Sequence, residues 1–245
     1  MTSEETTVLL RDDHGPVRVI RLNRPDKHNA LNTELTRALL DELLAADADG
    51  SVRAVVLAGE GRSFCAGADI TEFADLTPDN QDAVLRRAEL TARTQLLPQQ
   101  LSKPIVSVVW GNALGGGAGL AIGCDMMVVA DDVRFGYPEL KHSLVPAIVM
   151  TGLQRQIGRK LAFEMISHGT LLDADDLVRL GLANRRVSRD KALDTGIEIA
   201  SKWSEPSSMA MAATKDLFYR VADLPVDQAM RAGRDVNAIM RGFRG

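Results

Sequence analysis

Apolar residues recur along this chain in two rhythms. Short runs rich in branched side chains read as strands: Thr7 to Arg11, Val17 to Leu22, Arg53 to Ala58, Ile105 to Trp110, Met126 to Ala130, Val133 to Gly136 and Ala183 to Val187. Between them lie stretches with helical spacing. Asn32 or Thr33 can cap a helix carrying Leu35, Leu39, Leu43 and Leu44 on one face, and Asp47-Ala48-Asp49-Gly50 stops it. Thr77-Pro78-Asp79 opens another, with Val84, Leu85, Ala88, Thr91 and Ala92 as its apolar side. Asp12 to Pro16 reads as the turn joining the first two strands. From Met150 the pattern is helical, interrupted by Gly158, Gly169 and Gly181. Asp173 is suited to cap Ala174 to Leu180, and three helices follow from Arg189. Strands alternating with helices predict an α/β fold.

The length of 245 residues suits one α/β domain, or one with a small appendage. A net charge of -4 argues against a broad basic surface for nucleic acid. No apolar run is long enough to span a bilayer, and the polar, acidic stretch Met1 to Thr7 is unlike a secretory signal. Cys65 and Cys124 form no CxxC pair and read as buried thiols in a reducing cytoplasm. No cluster with metal-ligand spacing stands out.

Two glycine-containing turns carry the candidate chemistry. Gly111-Asn112-Ala113-Leu114-Gly115-Gly116-Gly117-Ala118-Gly119 lies between an apolar strand and a run that can open a helix. Free N–H groups project from such an end, and the helix dipole favours negative charge there. The stretch can serve as a phosphate cradle, as an oxyanion hole, or as a tight packing turn. It lacks the Gly-Lys-Ser/Thr ending of a P-loop and the spacing of a dinucleotide fingerprint. A second turn, Ser63-Phe64-Cys65-Ala66-Gly67-Ala68-Asp69-Ile70, leaves another apolar strand. Two such turns can each offer one N–H to a single oxygen, which favours the oxyanion reading.

In order and spacing these pieces resemble the crotonase superfamily, the enoyl-CoA hydratases and isomerases. The resemblance rests on Leu22-Asn23-Arg24-Pro25 with Asn29-Ala30-Leu31, on Phe64 to Ile70, and on Lys103-Pro104-Ile105 leading to Gly115-Gly116-Gly117. It continues in Cys124-Asp125 and Tyr137-Pro138-Glu139. It implies a spiral of ββα turns over residues 1–188, holding an acyl-CoA site. A C-terminal helical trimerisation region, residues 189–245, would follow, giving a homotrimer or a hexamer. Coenzyme A would enter as part of the substrate, with no separate cofactor. The oxyanion donors would be the N–H groups of Ala68 and Gly116, and the catalytic carboxylate would be Glu139. Substrate or CoA contacts are implied at Lys27, His28, Ala66, Asp69, Ile70, Gly115 and Gly117. Asp69 also reads as a carboxylate that holds its own turn, and Lys27 and His28 as solvated surface groups.

The departures from the family pattern shape the expected reaction. Hydratases of this family carry a second Glu three residues beyond the middle glycine; here that place is Gly119. Ala147-Ile148-Val149-Met150 replaces a further glycine-rich loop and reads as apolar and water-excluding. One carboxylate in a dry pocket resembles the 3-enoyl to 2-enoyl-CoA isomerases, whose single base takes a proton from C2 and returns one to C4. A hydratase or lyase with a substitute for the missing Glu, with Glu72 and Asp69 as first candidates, is the alternative. A catalytically weak acyl-CoA binding protein is a third. His142, close in sequence to Glu139, reads as packed or exposed, able at most to tune that carboxylate.

Overall fold

The computed structural model describes residues 7–74 and 76–243. The extreme N-terminal residues and the last two, Arg244 and Gly245, lie outside it. Six strands form the main sheet: β1 (Leu9–His14), β2 (Val17–Leu22), β3 (Ala54–Gly59), β4 (Ile105–Val109), β6 (Met126–Ala130) and β9 (Arg185–Val187), in spatial order β1-β2-β3-β4-β6-β9. Only the β1–β2 pair is antiparallel; the others run parallel. A small second sheet holds β5 (Asn112–Leu114), β7 (Arg134–Gly136) and β8 (Leu171–Leu172), in the order β5-β7-β8.

The central strands read as continuous apolar runs because both faces of the sheet are covered. Ile20, Leu22, Val55, Leu57, Ile105, Val109, Met127 and Val129 point into the larger core. Their neighbours Val17, Val19, Val56, Ala58, Val106, Val108, Val128 and Ala130 form a second core on the opposite face. The first face is covered by α1 (Thr33–Ala48), α2 (Gln81–Gln100) and α3 (Gly116–Gly123). The second lies under α7 (Arg189–Trp203), whose Ala192, Gly196 and Ala200 form a narrow buried stripe. A side chain at Gly196 would collide with Val108, so the helix approaches the sheet at this glycine.

Several local expectations need correction. The edge strand β1 runs on to His14, and Gly15-Pro16 alone makes the hairpin turn, with Gly15 at φ +59. An edge strand needs no apolar face toward solvent, so its polar second half hides it from a hydrophobicity pattern. In α1, Asn32 caps the first turn by accepting from Leu35 N at 2.9 Å. Leu35, Leu39 and Leu43 are buried as expected, but Leu40 joins them and Leu44 is 43% exposed. Burying four leucines contributes roughly 6–12 kcal/mol before the entropy cost of ordering the helix. In α2 the expected apolar side is outward: Val84, Leu85 and Ala88 are exposed, while Leu90, Thr94, Leu97 and Pro98 are buried. Thr77 and Pro78 start a short 3-10 turn, and α2 follows it.

The C-terminal half holds α4 (Met150–Ile157), α5 (Arg159–His168), α6 (Ala174–Arg179), α8 (Ser208–Val221) and α9 (Val226–Met240) beside α7. Asp173 caps α6 through Asp176 N at 2.9 Å. The helix α8 is fixed to the core by one buried cation. Lys215 Nζ donates to Pro98 O at 2.7 Å and Lys103 O at 2.9 Å, and it pairs with Asp125 Oδ2 at 2.7 Å. Asp125 also accepts from Ile105 N and Tyr219 Oη. No described helix is long and apolar enough to cross a membrane.

Candidate active site

The parallel sheet brings the two turns together. The turn after β3 is pinned to the strand after β4 by Phe64 N to Trp110 O, Cys65 N to Asn112 O and Leu114 N to Cys65 O, at 2.8, 2.9 and 3.0 Å. This pairing needs glycine at three places. Gly67 has φ +96, and a Cβ on it would stand 2.8 Å from Leu114 O and 3.6 Å from Gly116 N. A Cβ on Gly117 would collide with Cys65 O. Gly115 has φ +50 and ends the strand so that α3 can begin at Gly116.

The result leaves two amides free beside each other. Leu31 N donates to Gly67 O and Asp69 N to Leu31 O, so the residues flanking Ala68 are paired and Ala68 N is not. Gly116 stands in the first turn of α3, where helical N–H groups have no internal acceptor. Among the described residues neither amide has a hydrogen-bond partner. The position a Cβ would take on Gly116 is 4.0 Å from Ala68 N. Two unspent donors this close, one at a helix N-terminus, can hold charge developing on a carbonyl oxygen.

The middle strand of the small sheet, β7, leads to Glu139. Gly115 N donates to Gly136 O at 2.9 Å, which ties the end of β7 to the glycine turn. Two residues of loop, Tyr137 and Pro138, then lead into a short 3-10 turn over Glu139–His142. Phe135 and the buried Tyr137 meet edge to face at 5.9 Å and fill the space beneath. The Glu139 carboxylate comes to rest over Gly115: a Cβ there would stand 2.6 Å from Oε1 and 3.2 Å from Cδ. Its Oε2 is buried with no hydrogen-bond partner. Burial raises the Glu139 pKa above the ordinary carboxylate value, opposed by its own backbone N–H and by the charge of the exposed His142. A half-buried carboxylate whose pKa is raised by burial is a candidate for a base.

The other expected contacts divide into an open rim and a buried frame. Lys27, Ala68 and Ile70 are exposed, and Ala66 is half-buried. His28 Nδ1 bonds Ser63 Oγ at 2.9 Å, and its carbonyl accepts from Ala66 N at 2.9 Å. His28 and Asn29 both hold left-handed backbone, φ 50 and 56. The buried Asn29 amide donates to Glu60 O and Ser63 O, joining this loop to the Ala66 turn. Asp69 is committed to structure. Its Oδ1 accepts from Thr71 Oγ1 at 2.7 Å, and its Oδ2 pairs with Arg24 at 2.9 Å. Those partners hold its carboxyl below the usual range, Thr71 foremost. Glu72 is committed too, both oxygens accepting from Thr33 N at the start of α1. Neither carboxylate is free to stand in for a missing second acid.

One residue beside the glycine turn has no sequence signal at all. Gln95, on α2, donates from Nε2 to Gly116 O at 2.8 Å. Its Oε1 lies over Gly119, where a Cβ would collide with it and would also stand 3.1 Å from Val149 Cβ. Gly119 itself has ordinary helical backbone, so the helix does not demand a glycine; its neighbours do. The contact joins residues on separate helices and belongs to no motif.

Comparison with known proteins identifies the family. The profile of the enoyl-CoA hydratase/isomerase family matches residues 12–239. A short-chain-enoyl-CoA hydratase of Clostridium acetobutylicum is 31% identical over 229 residues, covering 92% of this chain and 86% of that one. A 2,3-dehydroadipyl-CoA hydratase of Escherichia coli is 33% identical over 227 residues, with 91% and 86% covered. The crystal structure of an enoyl-CoA hydratase from Mycobacterium smegmatis superposes with a TM-score of 0.91 at 32% identity, covering 98% of this chain and 93% of that one. The spiral α/β core with its C-terminal helices is the crotonase fold, and the chain belongs to the enoyl-CoA hydratase/isomerase family.

Proposed function

We propose that this protein isomerises 3-enoyl-CoA to 2-enoyl-CoA. Glu139 takes a proton from C2 and returns one to C4. The electron pair released from the C2–H bond spreads into a dienolate, whose oxygen accepts from Ala68 N–H and Gly116 N–H. Each well-placed donor of this kind lowers such a barrier by about 3–4 kcal/mol. Support for a single base comes from one observation: the space over Gly119 is filled by the neutral Gln95 carboxamide and by Val149. Lys27 and His28 border the same rim and are assigned to the CoA portion; Ala66, Asp69, Ile70, Gly115 and Gly117 shape the thioester end.

Hydration of 2-enoyl-CoA is the second reading, favoured by relatives that are named hydratases over most of this chain's length. The two are separated by incubating the protein with 3-hexenoyl-CoA and with but-2-enoyl-CoA and reading product mass. Isomerisation leaves mass unchanged; hydration adds one water. Rapid hydration with little isomerisation would overturn the isomerase reading. Binding without either turnover would favour a weak acyl-CoA binding protein.

We infer further that α8 and α9 meet a second copy of the chain, giving a trimer or a hexamer. Phe218, Val226, Met230 and Ile239 on these helices are 68%, 78%, 72% and 62% exposed, and α9 has no buried residue. Apolar side chains concentrated on one pair of helices are what an interface would cover.

A further inference from the structure

Gln95 reaches the site from a helix that carries none of the family motifs. It makes two separate contacts there. The Nε2 group bonds the carbonyl of Gly116, the residue whose N–H is a proposed oxyanion donor. The Oε1 atom lies over Gly119, with Cδ 3.2 Å from the position a Cβ would take. No hydrogen-bond donor to Oε1 is present among the described residues, so this acceptor is available. Its side chain is half-buried, and Val149 closes the other side of the same space.

A glutamine here differs from a glutamate in one respect that matters for the reaction. Both fill the same volume and both present an oxygen, but the carboxamide cannot accept a proton at ordinary pH. Adding water across C2=C3 needs a group that takes a proton from the water as its oxygen bonds C3. The π pair then moves to the thioester as an enolate, and C2 takes a proton from Glu139. The carboxylate that accepted the water's proton returns it to Glu139 through solvent, which closes the balance. A neutral amide can hold that water but cannot perform the first transfer.

We propose that Gln95 determines which reaction this active site performs: its neutral carboxamide occupies the place of a second carboxylate and so withholds water activation from the Glu139 site. The inference rests on the isomerase reading and names the residue that enforces it. It also shows why introducing a carboxylate at Gly119 alone is a poor test. A side chain at 119 would have to expel the Gln95 amide and break its bond to Gly116.

The test is Gln95→Glu, assayed for hydration of but-2-enoyl-CoA and isomerisation of 3-hexenoyl-CoA. Hydration is expected to rise at least tenfold over wild type, within the 10²–10⁴-fold reach of one positioned acid or base. Gly119→Glu combined with Gln95→Ala places the carboxylate from the other side, and hydration is expected to rise there too. Gln95→Met keeps the volume without either polar atom. Hydration should not rise in it, and the isomerisation kcat should fall several-fold with KM little changed. Carboxylate variants that bind but-2-enoyl-CoA in a thermal-shift assay but hydrate it within twofold of wild type would overturn the proposal. So would an equal gain in Gln95→Met, or failure of both carboxylate variants to fold. Wild-type rates test the isomerase reading; the ratio of variant to wild type tests Gln95, so the two can fail separately.

Discussion

The carboxylate of Glu139 rests on the α-carbon of Gly115, so close that a single added methyl group would stand 2.6 Å from Oε1. Gly115 also has φ +50 and ψ -116, a conformation that side chains resist. Gly115→Ala should therefore strain the turn by about 1–3 kcal/mol and push the carboxylate aside. Turnover should fall by about 10²-fold, the cost of misplacing a reacting group by roughly 1 Å. Steady-state rates and a melting curve on the same sample check both parts. Near-wild-type turnover would show that Glu139 does not need its present place.

Glu139→Gln should cut turnover by about 10²–10⁴-fold while acyl-CoA binding survives. It should also stabilise the protein at neutral pH. Burial raises the carboxyl pKa, so the folded state holds its proton at a pH where the unfolded chain has lost it. Wild-type stability therefore drops as pH rises from the ordinary carboxylate value, 4.5, through the raised one. The variant escapes this loss. Its melting temperature should exceed that of wild type at neutral pH and match it at pH below 4.5. A constant difference across that range would contradict the assignment.

The same raised pKa predicts the acid limb of the wild-type rate profile. A base works only when deprotonated, so kcat/KM should fall as pH drops, with its midpoint above the ordinary Glu value of 4.5. A midpoint at or below that value would mean a different base.

Lys215→Met removes the cation from a buried group of three acceptors and leaves Asp125 without its charge partner. Breaking such a pair from one side typically costs about 3–5 kcal/mol. Denaturant unfolding should show a loss of that size. Lys215→Met together with Asp125→Asn should recover part of it, because no uncompensated charge remains.

If α8 and α9 are covered by a second copy, sedimentation at micromolar concentration should give a trimer or a hexamer. Met230→Glu, on the exposed face of α9, should lower the assembly state with little change in the circular dichroism of the chain. A monomeric wild type would remove the interface.

Much of the fold can be read from the chain because its strands are buried on both faces. Val17–Leu22 and Met126–Ala130 stand out at both ends as apolar runs, and Asn32 and Asp173 mark helix starts by capping chemistry that acts locally. The polar second half of the edge strand β1, Asp12 to His14, and the two-residue β8 escape notice, the first because it faces solvent, the second because two residues carry no period. The side of α2 that turns inward cannot be read from its composition. Thr94 and Pro98 are buried there while Leu85 is 66% exposed. That choice is made by tertiary contacts with α1 and α3. The candidate site divides in the same way. The two turns are legible through their glycines, each required by a close backbone approach, and Glu139 through its place after β7. Gln95 is legible only once α2 and α3 are brought side by side.

The bond from Gly115 N to Gly136 O makes the glycine turn and the loop that carries Glu139 parts of one small sheet. The Glu139 carboxylate and the free amide of Gly116 thus share a chassis, and thermal drift of one carries the other with it.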